Sequence, residues 1–384
     1  MKIISKKTAI LITVFLLTTT GCGSNSKGSS DNTQGLSYYN KGQYHSAVTS
    51  FEAAIATNKK NPDYYVNLGM TYIELEDYEE ALTQFNLALK LNSEHRLAKR
   101  GIGITRLALG EYEEAITCFQ DVLLQANGTV GTLELDLLDY RGIAETKLGR
   151  YDAAIETYTT LIEVNYNIKE HYYQRGHCYL LKGDYEPAIK DFEVALNDSD
   201  FDCSIYLNIY HALDSADYNE EAINFLGKAL TSPSAQKSDD FSLGLIYYYL
   251  ADYTNAILKF NEASSDNHEA LLYLSKIYLS QHETIKAKNS LSEYLTYDNS
   301  NGEVYNQLGL ISVSEGDYTT ALTHFQNGIL TKGTTVMKDL KWNEAVCYEY
   351  LGDFSTARTK IEEFLKAYPD DAKALAEYEF LETR

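Results

Sequence analysis

The residues of this 384-residue chain best able to do nucleophilic or metal chemistry are five cysteines and eight histidines. Cys118, Cys178, Cys203 and Cys347 lie far apart without a C-x-x-C pair, so they read as small apolar filler rather than a zinc or redox site. His177 and His211 stand 34 residues apart with no carboxylate at ligand spacing, which argues against a metal centre. No glycine-rich phosphate loop, H-E-x-x-H or G-x-S-x-G occurs. Neither catalysis nor a cofactor is expected. Cys22 is different, because it closes a stretch with a basic start (Lys2, Lys6, Lys7), an apolar run from Ala9 to Leu17, and then Thr18, Thr19, Thr20 and Gly21. That order belongs to a secretory signal. The apolar run is about half the length a membrane-spanning helix needs.

Small residues directly before a cysteine resemble a bacterial lipoprotein signal, with Thr20, Gly21 and Cys22 fitting its cleavage box and Thr19 standing where leucine is usual. The resemblance implies removal of residues 1–21 and diacylation of Cys22. Residues 22–30 would then be a lipidated, polar tether holding the protein on the extracytoplasmic face of the cell membrane. Removal of three lysines takes the formal charge from −22 to −25. Such an acidic chain repels phosphate backbones, so nucleic acid is not an expected partner.

The elements that position everything else come from a repeat. With 44% hydrophobic residues, four prolines and 23 glycines, the composition suits a modular helical chain better than a turn-rich sandwich. A phrase of glycine or acid, tyrosine, then alanine recurs at Tyr44/Ala47, Tyr78/Ala81, Tyr112/Ala115, Tyr151/Ala154, Tyr185/Ala188, Tyr218/Ala222, Tyr253/Ala256 and Tyr318/Ala321, with Phe354/Ala357 and a degenerate copy at Ala287. The alanine spacings are 34, 34, 39, 34, 34, 34, 31, 34 and 36, giving ten units. Twelve residues before the alanine comes a small residue: Gly35, Gly69, Gly103, Gly142, Gly176, Gly244, Ser275, Gly309 and Ala345. Four residues after it comes a large one, as in Phe51, Phe85, Phe119, Tyr158, Phe192, Phe260 and Phe325. These positions resemble the tetratricopeptide repeat (TPR). The resemblance implies an all-α, right-handed α-solenoid of about ten helix-turn-helix units over residues 31–371, with 372–384 as a capping helix. Pro62, Pro233 and Pro369 fall at unit boundaries, and Pro187 falls in the first turn of a second helix, where its missing N–H costs little. Residues 127–134 insert a glycine-containing loop between the third and fourth units.

Thirty-three tyrosines invite a functional reading, but more than half occupy repeat positions that pack the array. In TPR proteins the first helices line a groove. The groove-facing positions, three before the small residue and one, four and five after it, are here Tyr39, Arg100, Tyr173, His177, His211, Tyr248, Tyr249, Trp342 and Tyr350. Amides recur two positions before the small one, at Asn67, Gln174, Asn208, Gln307 and Asn343, where they could bond an extended peptide backbone. The groove lacks the basic set that a C-terminal carboxylate clamp needs. Glu79-Glu80, Glu113-Glu114 and Glu220-Glu221 fall at the starts of second helices and suit the helix dipole better than catalysis. The expected function is a lipid-anchored scaffold for proteins of the cell envelope or of secretion, its partner presenting a basic or aromatic-rich segment. The alternative is a receptor whose groove takes secreted peptide or cell-wall glycan.

Overall fold

The computed structural model describes residues 27–126, 128, 130–164, 169–196, 203–232, 238–331 and 333–384. Residues 1–21, Cys22, Pro233 and two positions of the 127–134 insertion lie outside the described residues. The described residues form 21 α-helices and no strand. None of these helices is long and apolar enough to cross a membrane. The chain divides into two compact units, residues 1–198 and 199–384.

The first unit pairs α1 (Lys27–Asn40) with α2 (Tyr44–Thr57), α3 (Pro62–Glu74) with α4 (Tyr78–Leu91), α5 (Arg96–Ala108) with α6 (Tyr112–Gln125), α7 (Thr132–Lys147) with α8 (Tyr151–Val164), and α9 (Lys169–Lys182) with α10 (Tyr185–Leu196). The second pairs α11 (Ser204–Ser215) with α12 (Asn219–Thr231), α13 (Asp240–Tyr249) with α14 (Tyr253–Ala263), α15 (Glu269–Ser280) with α16 (Thr284–Tyr297), α17 (Gly302–Ser314) with α18 (Tyr318–Leu330), and α19 (Met337–Tyr350) with α20 (Phe354–Ala367). The ten hairpins are the ten units counted from the alanine spacing. A last helix, α21 (Ala372–Leu381), buries Ala374 and Leu381 against Ala357, Ile361 and Phe364.

The small residue and the large one sixteen positions later set the hairpin width. A Cβ built on any of the seven glycines at that position would come within 2.3–2.9 Å of the ring of Phe51, Phe85, Phe119, Tyr158, Phe192, Phe260 or Phe325. Each of these rings is fully buried. Where the small residue is larger than glycine, the partner shrinks. Ser275 goes with Leu291, Ala345 with Ile361, and Tyr210, which takes the small position of the sixth hairpin, with Leu226. For Ser275–Leu291 and Ala345–Ile361 the close approach is therefore kept at nearly constant summed side-chain volume, whereas Tyr210 exceeds it and stays half-exposed.

Each hairpin turns through one residue in the left-handed region, glycine in six units and Glu76, Asp217, Ala251 or His282 in the other four. In every unit the next amide returns to a carbonyl five residues back, as Gln43 N–H does to Tyr38 and Asp353 N–H to Tyr348. This is the Schellman closure. The turn tyrosine is then the first residue of the second helix; only Tyr218 sits one residue earlier, as the N-cap of α12. Asp77, Asp252, Asp317 and Asp353 cap second helices by accepting from backbone N–H groups three residues on, and the acid pairs at 79–80, 113–114 and 220–221 lie in first turns. Pro62 opens α3, and Pro187 is the third residue of α10.

Candidate functional site

Successive first helices touch one another directly in each unit, α1 with α3, α3 with α5 and α5 with α7 in the first, α11 with α13 and α17 with α19 in the second. That contact decides what happens to several of the expected groove residues. Tyr39 is 6% exposed and its hydroxyl donates to Glu74 Oε1 at 2.9 Å; Arg100 is 7% exposed and its guanidinium grips Asp136, one N–H at 3.1 Å, while lying 5.6 Å from the centre of the Tyr140 ring. Asn67 Nδ2 donates to Asn32 at 2.9 Å, and Asn343 Nδ2 donates to Asn306 at 3.0 Å. Tyr39 and Arg100 therefore stitch neighbouring repeats instead of lining open surface, and Asn67 and Asn343 spend an amide proton on the same task. Gln174 turns back to Glu170 of its own helix at 2.7 Å, and Tyr173 stacks on His177 and leans on Phe192. Burial, with Lys147 nearby, holds His177 below the usual imidazole range and so neutral at pH 7.

The second unit gathers three of the expected residues. His211 on α11 and Tyr248 and Tyr249 on α13 are half-buried and lie within one network of rings. Tyr249 is 5.1 Å from His211, 5.3 Å from Tyr248 and 4.8 Å from Tyr210, centre to centre. Tyr248 in turn meets Tyr273 of α15 edge-on at 5.3 Å, which joins the buried Tyr273 ring to the set. Lys276 Nζ stands 4.7 Å over the Tyr273 ring, and burial lowers its pKa. Burial likewise keeps His211 neutral, with Asp214 opposing. Asn208, one turn before His211 on α11, is exposed at the edge of this patch.

The patch offers tilted ring faces with hydroxyl, imidazole and ammonium groups between them. It can bury an apolar or aromatic side chain at small entropy cost and bond the backbone beside it. Three of its members were not anticipated. Tyr210 fills the small position, Tyr273 stands where other repeats carry the amide, and Lys276 follows Ser275 at a groove position. All three are visible as departures from the repeat.

The other expected residues lie elsewhere in the second unit. Trp342 packs edge-on against Phe364 under Lys373 Nζ, 4.2 Å from its ring centre, while Tyr350 stacks on Tyr318 at 4.5 Å and is 61% exposed. Cys118, Cys178, Cys203 and Cys347 form no disulfide with one another, and no group of three or more potential metal ligands occurs among the described residues.

No curated protein matches the chain. Among solved structures it is similar to Pseudomonas aeruginosa pilF (14% identity, TM-score 0.45, 55% of this chain and 96% of that one). It is also similar to PilW, a widely conserved type IV pilus biogenesis factor (16%, 0.48, 56% and 99%), and to YrrB, a TPR protein with an unusual peptide-binding site (25%, 0.37, 47% and 91%). Tetratricopeptide-repeat models match residues 32–95, 66–129 and 141–202, and another matches 340–371, together half of the chain. With ten helical hairpins, seven of them built on the glycine and aromatic pair of that repeat, the chain belongs to the tetratricopeptide-repeat family.

Proposed function

We propose that this protein is a non-enzymatic scaffold, tethered through an acylated Cys22 to the extracytoplasmic face of a bacterial membrane, that holds partner proteins in cell-envelope assembly or secretion. The observation that carries the binding half is the half-buried ring network of Tyr210, His211, Tyr248 and Tyr249, backed by the buried ring of Tyr273. Packing of the repeat explains Phe260, buried at its base, but does not require a row of tyrosines left open beside it. The tether rests on the order of residues in 1–22. The net charge of −22 favours a partner with a basic segment and an association that slows as salt rises.

The test has two arms. Cys22→Ser should abolish labelling by a fatty-acid probe, and an unchanged labelled band would sink the anchor. Tyr248→Ala/Tyr249→Ala, with helicity confirmed, should weaken binding of the partner recovered by crosslinking from membranes by about 1–3 kcal/mol per anchor. Undiminished affinity would move the interface off this patch. A second reading, capture of wall glycan or secreted peptide, draws support from the exposed ring of Tyr350. Pelleting with purified wall material separates it from a protein partner.

A further inference from the structure

The first hairpin runs against the charge of the rest of the chain. Residues 27–60 carry Lys27, Lys41, Lys59 and Lys60 against Asp31 and Glu52, a net of +2, whereas residues 61–384 carry 26 basic and 53 acidic side chains. Three of the four lysines share one end of that hairpin. A Cβ on Gly28 would stand 3.2 Å from Thr57 Cβ, so the start of α1 lies on the end of α2, and Lys59 and Lys60 follow directly in the chain. The loop that presents them is pinned: Lys60 N–H donates to Asn58 Oδ1 at 3.1 Å, and the Tyr65 hydroxyl donates to Lys59 O at 3.2 Å. Lys27, Lys59 and Lys60 are exposed, and none has an ion-pair partner among the described residues.

The acids nearby are engaged or set back. Asp63, in the first turn of α3 beside the loop, is held by His95 Nε2 at 3.0 Å, Asp31 is half-buried, and Glu52 lies more than a turn before the end of α2. Lys90, in the last turn of α4, is exposed and adds a cation at the same end of the second hairpin. The other end has the opposite sign, for Glu74, Glu76, Asp77, Glu79 and Glu80 crowd the turn between α3 and α4. The 13 residues of α3 span about 20 Å, and the Debye length in physiological salt is about 8 Å, so the basic end is felt separately from those acids. The net charge of the whole chain therefore does not decide what this end attracts.

Four residues separate Cys22 from Lys27, a reach of about 18 Å even at full extension. A bilayer holding acyl chains on Cys22 would stand within that distance of the basic end. We propose that this end of the first hairpin is a docking surface for anionic phospholipid headgroups, with Lys27, Lys59 and Lys60 on the phosphates and the acidic turn of the second hairpin directed away from the bilayer. Lysine suits a fluid headgroup layer, because a compact ammonium on a flexible stem needs no fixed partner geometry. Acyl chains hold the protein near the surface but leave it free to swivel, and basic side chains beside the anchor are the second signal that keeps one face on an anionic surface. The proposal rests on the anchor reading above and adds to it the orientation of the first hairpins.

The test uses the chain extracted from membranes with its anchor and reconstituted into vesicles of phosphatidylcholine alone or of equal parts phosphatidylcholine and phosphatidylglycerol. An uncharged acetylating reagent marks accessible lysines, read by mass spectrometry, and the same digest reports whether Cys22 is acylated. Labelling of Lys27, Lys59 and Lys60 should be about fivefold slower on the phosphatidylglycerol vesicles, while Lys41, at the other end of the hairpin, labels equally on both. The difference should vanish at about 1 M salt, where the Debye length is about 3 Å. Lys59→Gln/Lys60→Gln should return Lys27 to its rate on phosphatidylcholine, and Lys41→Gln should leave the protection of Lys27 in place. Acylated Cys22 with equal labelling on the two vesicles would overturn the docking surface and leave the anchor standing, whereas an unmodified Cys22 would overturn the anchor and this surface with it. Slowing of Lys41 to the same degree would show a general effect of vesicle charge, and shielding in native membranes without any difference between the two vesicles would assign the lysines to an acidic partner protein. Either result overturns the surface.

Discussion

In the ninth hairpin Gly309 and Phe325 set the distance between α17 and α18, for a Cβ on Gly309 would stand 2.3 Å from Phe325 Cε1. The ring is fully buried and has nowhere to retreat. Alanine would gain up to about 1 kcal/mol of helix propensity at this position, but overpacking a closed core costs about 1–3 kcal/mol. Gly309→Ala should therefore lower the urea midpoint. Phe325→Leu alone should also lower it, through the lost volume. Together they reproduce the pairing of Ser275 with Leu291 and Ala345 with Ile361, so the double variant should be more stable than the sum of the two losses by about 1 kcal/mol. Simple additivity in that cycle would show that the pair does not set the hairpin width.

Ala251 carries the opposite problem. Its φ of 58° is a conformation that costs an L-residue with a Cβ about 1–2 kcal/mol, whereas Gly316 occupies the same place in the ninth hairpin without that cost. The turn itself is intact, with Asp252 N–H bonding Tyr247 O at 2.9 Å. Ala251→Gly should stabilise the second unit by about 1 kcal/mol, read as a higher denaturation midpoint, and Gly316→Ala should destabilise it by a similar amount. A loss of stability in Ala251→Gly would mean that unfolded-chain entropy outweighs the strain.

The hairpins were legible in the sequence because each is local: Gly309 and Phe325 lie sixteen residues apart, and the turn residue lies between them. Tyr248, Tyr249 and His211 could be placed on one face for the same reason, one repeat length separating α11 from α13. The roles of Tyr39 and Arg100 were not legible. Their partners, Glu74 and Asp136, lie 35 and 36 residues away, and repeat register says that a position faces inward without saying whether the neighbouring repeat already fills it. Trp342 also has the right register, but Phe364 and Lys373 claim it.

Arg100 gives a direct measure of that difference. Its guanidinium is nearly buried against Asp136, which is itself only about a quarter exposed. Removing the cation strands a half-desolvated carboxylate, a loss on the order of 2–3 kcal/mol, below the cost for a fully buried pair because water still reaches Asp136. Arg100→Met should accordingly speed hydrogen exchange in α5 and α7 and leave partner affinity unchanged. Reduced affinity with unchanged exchange would return Arg100 to the binding surface.

The last helix should respond to pH through Glu349 on α19 and Glu377 on α21. Burial and the facing carboxyl of Glu377 raise Glu349 from 4.5 to about 7, and Glu349 Oε1 is buried without a hydrogen-bond partner. The neighbouring charges are already engaged, Lys338 with Asp371 at 2.7 Å and Lys373 over Trp342. Because the folded pKa exceeds the unfolded one, the native state binds the extra proton. Docking of α21 is thus strongest at the acid end of this window and weakens as pH rises from about 4.5 to about 7. Asp371 acts in the opposite direction: its ion pair with Lys338 and its cap on the Ala374 amide hold it below 3.8, so its contribution is lost only as pH falls below that range. Partial exposure of Glu349 screens the effect, leaving about 1 kcal/mol. Protection of the α21 amides, corrected for intrinsic exchange, should fall several-fold between about pH 5 and pH 7.5. Glu349→Gln, which keeps the shape and removes the charge, should flatten that fall and raise protection at the upper end. A pH-independent protection ratio in the wild-type protein would show that the two carboxyls are solvated separately and that α21 docks without taking up a proton.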